Sequence, residues 1–314
     1  MAIFTVGFNP AIDRILECPD FHIGGHQHAR EVARLASGKA ANVSRALAQL
    51  GVDSIATGFV GTAEQEFFHE QLLSAGPGRI LCRFVEVGGK TRENITILDP
   101  NRHIETHLRD RGFTVQPEEI DLLNKKIAHD VKPGDVIVFS GSACPGLPPD
   151  YLGMLIEQCQ RQQARVAVDA NGEPLVSAAR RPLWVLKPNV LELRQLLGTE
   201  IPDEPAALRD AARPLLRTVE HLLISRGAKG ALLLTATQCL TANTITQAPA
   251  VRTVGCGDHL LAGFVSELAA GRDPARALTV AVAVAAARAF SSKMDEFDPG
   301  LLQTLLADVT VDEV

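Results

Sequence analysis

Seven short runs rich in Val, Ile, Leu and Phe recur along the chain, and many of them are separated by stretches with helical spacing. They are IFTVGF (3–8), SIATGFVG (54–61), DVIVFSGS (135–142), ARVAVDA (164–170), LWVLKPN (183–189), HLLISRG (221–227) and GALLLT (230–235). The helical patterns include AANVSRALAQLG (40–51), PDYLGMLIEQCQRQQ (149–163) and NVLELRQLLG (189–198), with Gly51 and Gly198 as C-terminal stops. A strand that is apolar on both sides has to be covered on both faces. Alternation of such strands with helices therefore predicts an α/β fold with a mostly parallel central sheet. Aromatic residues make up only 4% of the chain, so the core must be built from Ala, Val, Leu and Ile.

Two regions, about 12–35 and 82–108, break this rhythm. They read as alternating, partly polar strands without a helix, as in RFVEVGGKTRENITILD. They are expected to pair as a small antiparallel sheet inserted into a single domain spanning 1–314, acting as a lid over the strand ends. The net charge of −6 argues against a general nucleic-acid partner, but a local cationic cluster can still hold an anionic small molecule. The six cysteines form no CxxC pair, which suggests a reducing, cytoplasmic setting. The first residues run straight into a strand pattern without the basic region of a signal peptide. The longest apolar stretch, ALTVAVAVAAARAF (277–290), is too short to span a bilayer and reads as a buried helix, so no membrane association is expected.

Ligands of open parallel sheets bind outside the carboxyl ends of the strands. Polar residues collect at those ends: Asp13 after the first run, Ser140 in SGS, Asn189 and Glu192 after KP, and Ser225, Gly227 and Gly230 in SRGAKG. Ser37, Gly38 and Lys39 precede the helix that carries Asn42, where free N–H groups and a lysine favour an anion. A turn with a surface lysine is the competing reading, and no GxxxxGK[ST] or GxGxxG motif is present. Arg92, near Lys90, can clamp a phosphate by paired hydrogen bonds, or else serve as an edge-strand charge. Asn189 and Glu192, three apart, suit either a helix cap or a Mg²⁺ site reached through water. In TVGCGDHLLAGF (253–264), Gly255 and Gly257 allow a tight turn, the N–H groups of Gly255, Cys256 and Gly257 point toward an anion, and Asp258 is placed as a base. A Cys256/His259 nucleophile pair is the alternative there.

Taken together, ASGKAANVSRALAQLG and VRTVGCGDHLLAGF resemble the two signatures of the ribokinase-like (PfkB) carbohydrate kinases, in the right order over nearly the whole chain. NPAIDR, GKTRENITI, SGSACPGLPP and KPNVLEL look most like the hexose-phosphate branch, with 1-phosphofructokinase and tagatose-6-phosphate kinase. The resemblance implies a three-layer sandwich and ATP-dependent transfer of a phosphoryl group to a ketohexose phosphate, foremost fructose 1-phosphate to fructose 1,6-bisphosphate. Tagatose 6-phosphate or fructose 6-phosphate is the alternative acceptor, and a non-catalytic sugar-phosphate sensor is the alternative role. It implies Asp258 as the base, with the N–H groups of Gly255, Cys256 and Gly257 around the transferred group. It also implies Asp13, Gly38, Lys39, Asn42, Arg92 and Ser140 on the sugar phosphate. ATP would lie along Asn189, Ser225, Gly227 and Gly230, with Mg²⁺ held through water by Asn189 and Glu192, and a homodimer would form through the lid.

The chain departs from the family pattern at several points. Ala40 and Ala41 stand in the first signature where a second glycine is usual, and so narrow the backbone approach there. His259 replaces a small residue and sits where it would crowd the acceptor or touch a phosphate. Arg252 stands where cation-dependent members carry Asp, which argues against bound K⁺. His26 and His28 lie where some phosphofructokinases place lid cations. The sequence leaves open which ketohexose phosphate is the acceptor.

Overall fold

The computed structural model describes residues 1–245, 250–251, 253–293 and 296–314. In chain order its strands are β1 (Ile3–Gly7), β2 (Ala11–Glu17), β3 (Arg30–Ser37), β4 (Ser54–Gly61), β5 (Ile80–Val87), β6 (Arg92–Asp99), β7 (Ile104–Arg109), β8 (Val136–Ser140), β9 (Arg165–Asp169), β10 (Leu183–Leu186), β11 (Val219–Ser225), β12 (Ala231–Leu234), β13 (Cys239–Thr244) and β14 (Val309–Glu313). The helices are α1 (Lys39–Gln49), α2 (Gln65–Leu73), α3 (Pro117–Asp130), α4 (Tyr151–Arg161), α5 (Gly172–Ala179), α6 (Val190–Leu197), α7 (Pro205–Ala212), α8 (Cys256–Ala269), α9 (Pro274–Phe290) and α10 (Pro299–Asp308).

The large sheet runs β14-β13-β12-β11-β10-β9-β8-β1-β4-β5. Its seven strands from β11 to β5 are parallel, and β12, β13 and β14 extend it antiparallel. Alternation along each strand explains the two helical layers. In β8, Ile137 and Phe139 join the core that includes residues of α3 to α7. Val136 and Val138 point the other way, into the core of α1, α8 and α9. With both faces covered, the strands have no use for polar residues until they end. The predicted buried helix over 277–290 is the body of α9. No described helix is long and apolar enough to cross a membrane.

The small sheet, in the order β3-β2-β6-β7, comes from two insertions into this frame. Its outer pairs are antiparallel, as expected, while the central β2–β6 pair is parallel. The expected boundary at residue 82 is displaced. Residues 82–87 belong to β5, the parallel edge strand of the large sheet, and only β6 and β7 of that region enter the small one. An edge strand is half-solvated, so β5 alternates like a lid strand although it is not one. β13 and β14 carry too many polar residues to read as strands and were not anticipated.

The chain leaves β1 to build β4 and β5 on one side, then returns to place β8 on the other. That reversal opens a crevice at the carboxyl ends of the central strands. The strands there lie close together. A Cβ on Gly58 would sit 1.9 Å from the Gly7 carbonyl oxygen, and Gly58 has φ of 115°. Gly58→Ala is therefore expected to destabilise the fold by more than about 1 kcal/mol. Calorimetry should show this as a thermal midpoint lowered by several degrees, and an unchanged midpoint would contradict the close approach.

Candidate active site

Helix α8 starts at a forced turn. Gly255 is its N-cap in the left-handed region (φ 84°, ψ −8°), which costs a glycine nothing. The Gly255 carbonyl accepts from the N–H groups of Asp258 and His259, both at 3.1 Å. The apolar run that follows, from Leu260 through Val265, is buried and drives the helix into the core. Asp258 stands in the first turn, 5% exposed, on the cavity side. Asn42 of α1 donates to its Oδ2 at 2.7 Å. Arg45 donates to Asn42 Oδ1 at 3.3 Å, which orients the amide. Burial, and then the negative charge of Asp169, raise the Asp258 carboxyl to about 7, against the opposing pull of the Asn42 bond, Lys39 and Lys187. A carboxyl poised near neutrality is well matched to accepting a proton at physiological pH.

Two residues that the sequence reading did not assign complete the electrostatics. Asp169 ends β9 and is 1% exposed. Its Oδ1 lies 2.8 Å from Lys39 Nζ and its Oδ2 3.1 Å from Lys187 Nζ. Burial pulls the Lys39 ammonium down, but attraction to Asp169, its hydrogen bond, and the charges of Asp258 and Glu192 together make the net shift upward. Lys187 follows β10, is itself buried, and stands 3.4 Å from where a Cβ on Gly257 would be. The signal for both was present: each is the first charged residue after an almost wholly apolar strand.

A cavity of about 700 Å³ collects these groups. The small sheet contributes Asp13, Arg92, Asn94 and Arg109, and the start of α1 contributes Ser37, Gly38, Lys39 and Asn42. The strand exits contribute Asn189, Glu192, Ser225, Gly227 and Gly230, and α8 contributes Gly255, Cys256, Gly257 and Asp258. Asn94 and Arg109 were not singled out from the sequence. Asn94 donates to Asp13 Oδ1 at 2.8 Å. Arg92 is held by the carbonyls of Pro10 (3.2 Å) and Asn9 (3.0 Å), which fix its plane and leave the rest of its fork for a ligand. Asn189 and Glu192 cap α6 reciprocally, each side chain accepting the other's N–H at 2.8 Å. The capping reading is thus correct, and it leaves Glu192 Oε1 on the cavity side, 4.0 Å from Lys39 Nζ.

Several expectations are corrected. Ser140 is buried at the end of β8 and lines two smaller hollows, one of which shares Ser37, Gly38 and Lys39 with this cavity. Ala40 and Ala41 are buried and line the adjoining hollow beside Ser37, Gly38 and Lys39. His26 and His28 are exposed in the β2–β3 loop, away from it. His259 points into the core and gives its Nδ1–H to the Gly255 carbonyl at 2.9 Å. Burial above all holds its imidazole down to about 3, and burial pushes the Cys256 thiol up. Neither thiolate nor imidazolium forms near neutrality, which removes the Cys/His nucleophile. Arg252, the residue behind the K⁺ expectation, lies outside the described residues.

Comparison with known proteins agrees with this geometry. A family model described as pfkB family carbohydrate kinase matches residues 6–298. A Bacillus subtilis protein named 1-phosphofructokinase is 32% identical over 98% of this chain and 99% of its own length. A Staphylococcus epidermidis protein named tagatose-6-phosphate kinase is 30% identical over 85% of both chains. Among solved structures, phosphofructokinase-2 from Escherichia coli in complex with potassium superposes with a TM-score of 0.91 at 24% identity, covering 98% of each chain, a likeness of fold.

The Asp258 environment carries a kinetic consequence. With the carboxylate as the active form, kcat/KM is expected to be full above about pH 7 and to fall toward tenfold per unit below it. Asn42→Leu removes a bond that favours the carboxylate, so the acid limb should move to higher pH. Initial rates across the neutral range measure both. A limb that stays in place in the variant would show that Asn42 does not tune this group.

Proposed function

This chain belongs to the pfkB family of carbohydrate kinases, and we propose that it transfers the γ-phosphoryl group of ATP to a hydroxyl of a ketohexose phosphate, foremost fructose 1-phosphate. The observation that carries the reading is the polarity of one cavity: the Asp258 carboxyl at the α8 start on one wall, and Arg92 and Arg109 on another. A free sugar offers such cations only neutral hydroxyls, whereas a phosphorylated one offers an anion that they can bind bidentately. The near full-length likeness to the Bacillus subtilis 1-phosphofructokinase favours fructose 1-phosphate. The likeness to the tagatose-6-phosphate kinase makes tagatose 6-phosphate the second reading.

In this mechanism Asp13 and Asn94 hold sugar hydroxyls, and Arg92, Arg109 and Lys39 hold the sugar's phosphate. Gly38 lets the chain pass close to the sugar, since its φ of 109° suits glycine alone. ATP lies along Ser225, Gly227 and Gly230. Asp258 takes the proton of the acceptor hydroxyl as its oxygen attacks. The N–H groups of Gly255, Cys256 and Gly257 meet the charge that gathers on the transferred group, and Lys187 adds a cation beneath them. Asn189 and Glu192 suit Mg²⁺, because Glu192 Oε1 is a hard oxygen left over by the cap. The ion would hold them through water and, when bound, draws charge from the nucleotide's phosphate oxygens. The small sheet closes over the sugar and keeps water from competing for the phosphoryl group. Its exposed Ile104 and Leu108, on one face of β7, suit pairing with a second copy of the chain.

A coupled ADP-release assay over fructose 1-phosphate, tagatose 6-phosphate, fructose 6-phosphate and free hexoses, with and without K⁺, tests the reading. Turnover with a phosphorylated ketose and indifference to K⁺ are expected. Binding without turnover across the panel would make the protein a sensor. Arg92→Met should raise the KM for the sugar phosphate about tenfold or more, the worth of a hydrogen bond to a charged group, with the KM for ATP nearly unchanged. Equal rises in both would move Arg92 out of the phosphate site.

A further inference from the structure

The feature least explained so far is His259, a histidine buried beside the base and turned away from the cavity. Its Nδ1 faces a carbonyl oxygen, which can only accept, so the proton sits on Nδ1. The ring's other nitrogen, Nε2, is buried with no hydrogen-bond partner among the described residues. Phe297 meets the ring edge-on, with centroids 6.0 Å apart and planes at 79°. An apolar side chain would fill this place without an orphaned acceptor. The chain instead carries a polar ring at the one helix turn that also carries Asp258.

What the ring touches accounts for this. The Gly255 carbonyl and the Cys256 N–H belong to one planar peptide unit and point in opposite directions. The carbonyl points down the helix and already accepts from Asp258 and His259 backbone N–H groups. His259 Nδ1–H adds a third donor at 2.9 Å. Fixing the carbonyl fixes the N–H on the other side of the same plane, at the cavity wall. Gly255 itself can adopt many conformations, so the groups that grip its carbonyl decide how this plane is held.

We propose that His259 is a positioning residue for phosphoryl transfer: its imidazole clamps the Gly255–Cys256 peptide plane and so aims the Cys256 N–H at the transferred group. This rests on the reading of the α8 start as the transfer site. The ring works as a neutral donor, consistent with burial holding its basicity far below the usual histidine range. Arg288, whose Nε lies 3.8 Å from where a Cβ on Gly255 would stand, and Arg45 both face this region and disfavour a charged ring.

Two substitutions separate positioning from packing. His259→Leu fills the space, removes the orphaned Nε2 and deletes the donor. His259→Asn places an amide N–H where Nδ1 was. With saturating ATP and fructose 1-phosphate, or whichever sugar phosphate the panel selects, the leucine variant should lose about tenfold or more in kcat, as expected of a misdirected donor. Its KM values should stay within about twofold, and its thermal midpoint should be equal to or above that of the parent. The asparagine variant should recover most of the lost kcat. Should the leucine chain fail to fold, His259→Ala takes its place in the same comparison. Parental kcat in the donor-less variant overturns the proposal. So does an equal loss in both variants, which would mean that shape and not the donor matters. Asp258→Asn, assayed alongside, keeps the two readings apart. If it retains near-parental turnover, the transfer site itself is wrong. If it loses turnover while the leucine variant does not, only the role of His259 is wrong.

Discussion

A single buried carboxylate ties the catalytic end of this molecule together. Asp169 has almost no access to solvent, and two ammonium groups reach it, from the start of α1 and from the exit of β10. Removing one partner of such a buried set leaves an uncompensated charge, typically at a cost of about 3–5 kcal/mol. The cluster therefore fixes where α1 begins relative to the central strands. Through Asn42, one turn further along α1, it also fixes the partner of Asp258. The same negative charge helps raise the Asp258 carboxyl. One residue thus bears on the geometry of the site and, after burial, on the basicity of Asp258, without having to touch a substrate.

Around this charged centre the architecture divides its tasks. The parallel strands and their helices are covered on both faces and make a rigid frame, in which small side chains allow close approach, as Gly58 against Gly7 shows. Adaptable chemistry is carried by what the frame leaves open: strand exits, two helix starts and the small sheet. The α1 and α8 starts both enter through glycines with positive φ, Gly38 and Gly255. Both starts, with Lys39 and Lys187, line a common space, where an anionic ligand is favoured although the chain as a whole is acidic.

Much of this was legible in the sequence, and the failures have physical causes. The seven anticipated strands all exist, because a doubly covered strand has to be apolar throughout and so announces itself. β5 read as part of the small sheet because an edge strand is polar on its open side, as a lid strand is. β14 is the opposite edge and hid for the same reason, while β13, paired on both sides, carries polar residues at Thr241 and Asn243 that break an apolar run. The glycines singled out from the sequence, Lys39, Asn42, Arg92, Asp258 and the Asn189/Glu192 pair sit in local motifs, and all lie on the cavity. Asp169 and Lys187 were overlooked because their meaning is not local. The Lys39–Asp169 pair joins residues 130 positions apart, and only the fold brings them together. Ser140, another polar residue at a strand end, is buried in an adjoining hollow that shares Ser37, Gly38 and Lys39 with the cavity.

The contrast between Asp258 and His259 shows how far adjacency can mislead. Successive residues on a helix point about 100° apart. At the first turn of α8 that angle separates a wet wall from a dry core. Asp258 falls on the first and is drawn toward proton exchange; His259 falls on the second and stays neutral, its one donor spent on the backbone. A departure from the family pattern at position 259 therefore says little about which sugar is bound. In the proposed mechanism it bears instead on how firmly the turn beneath the transferred group is held, since the ring grips the carbonyl of the Gly255–Cys256 peptide.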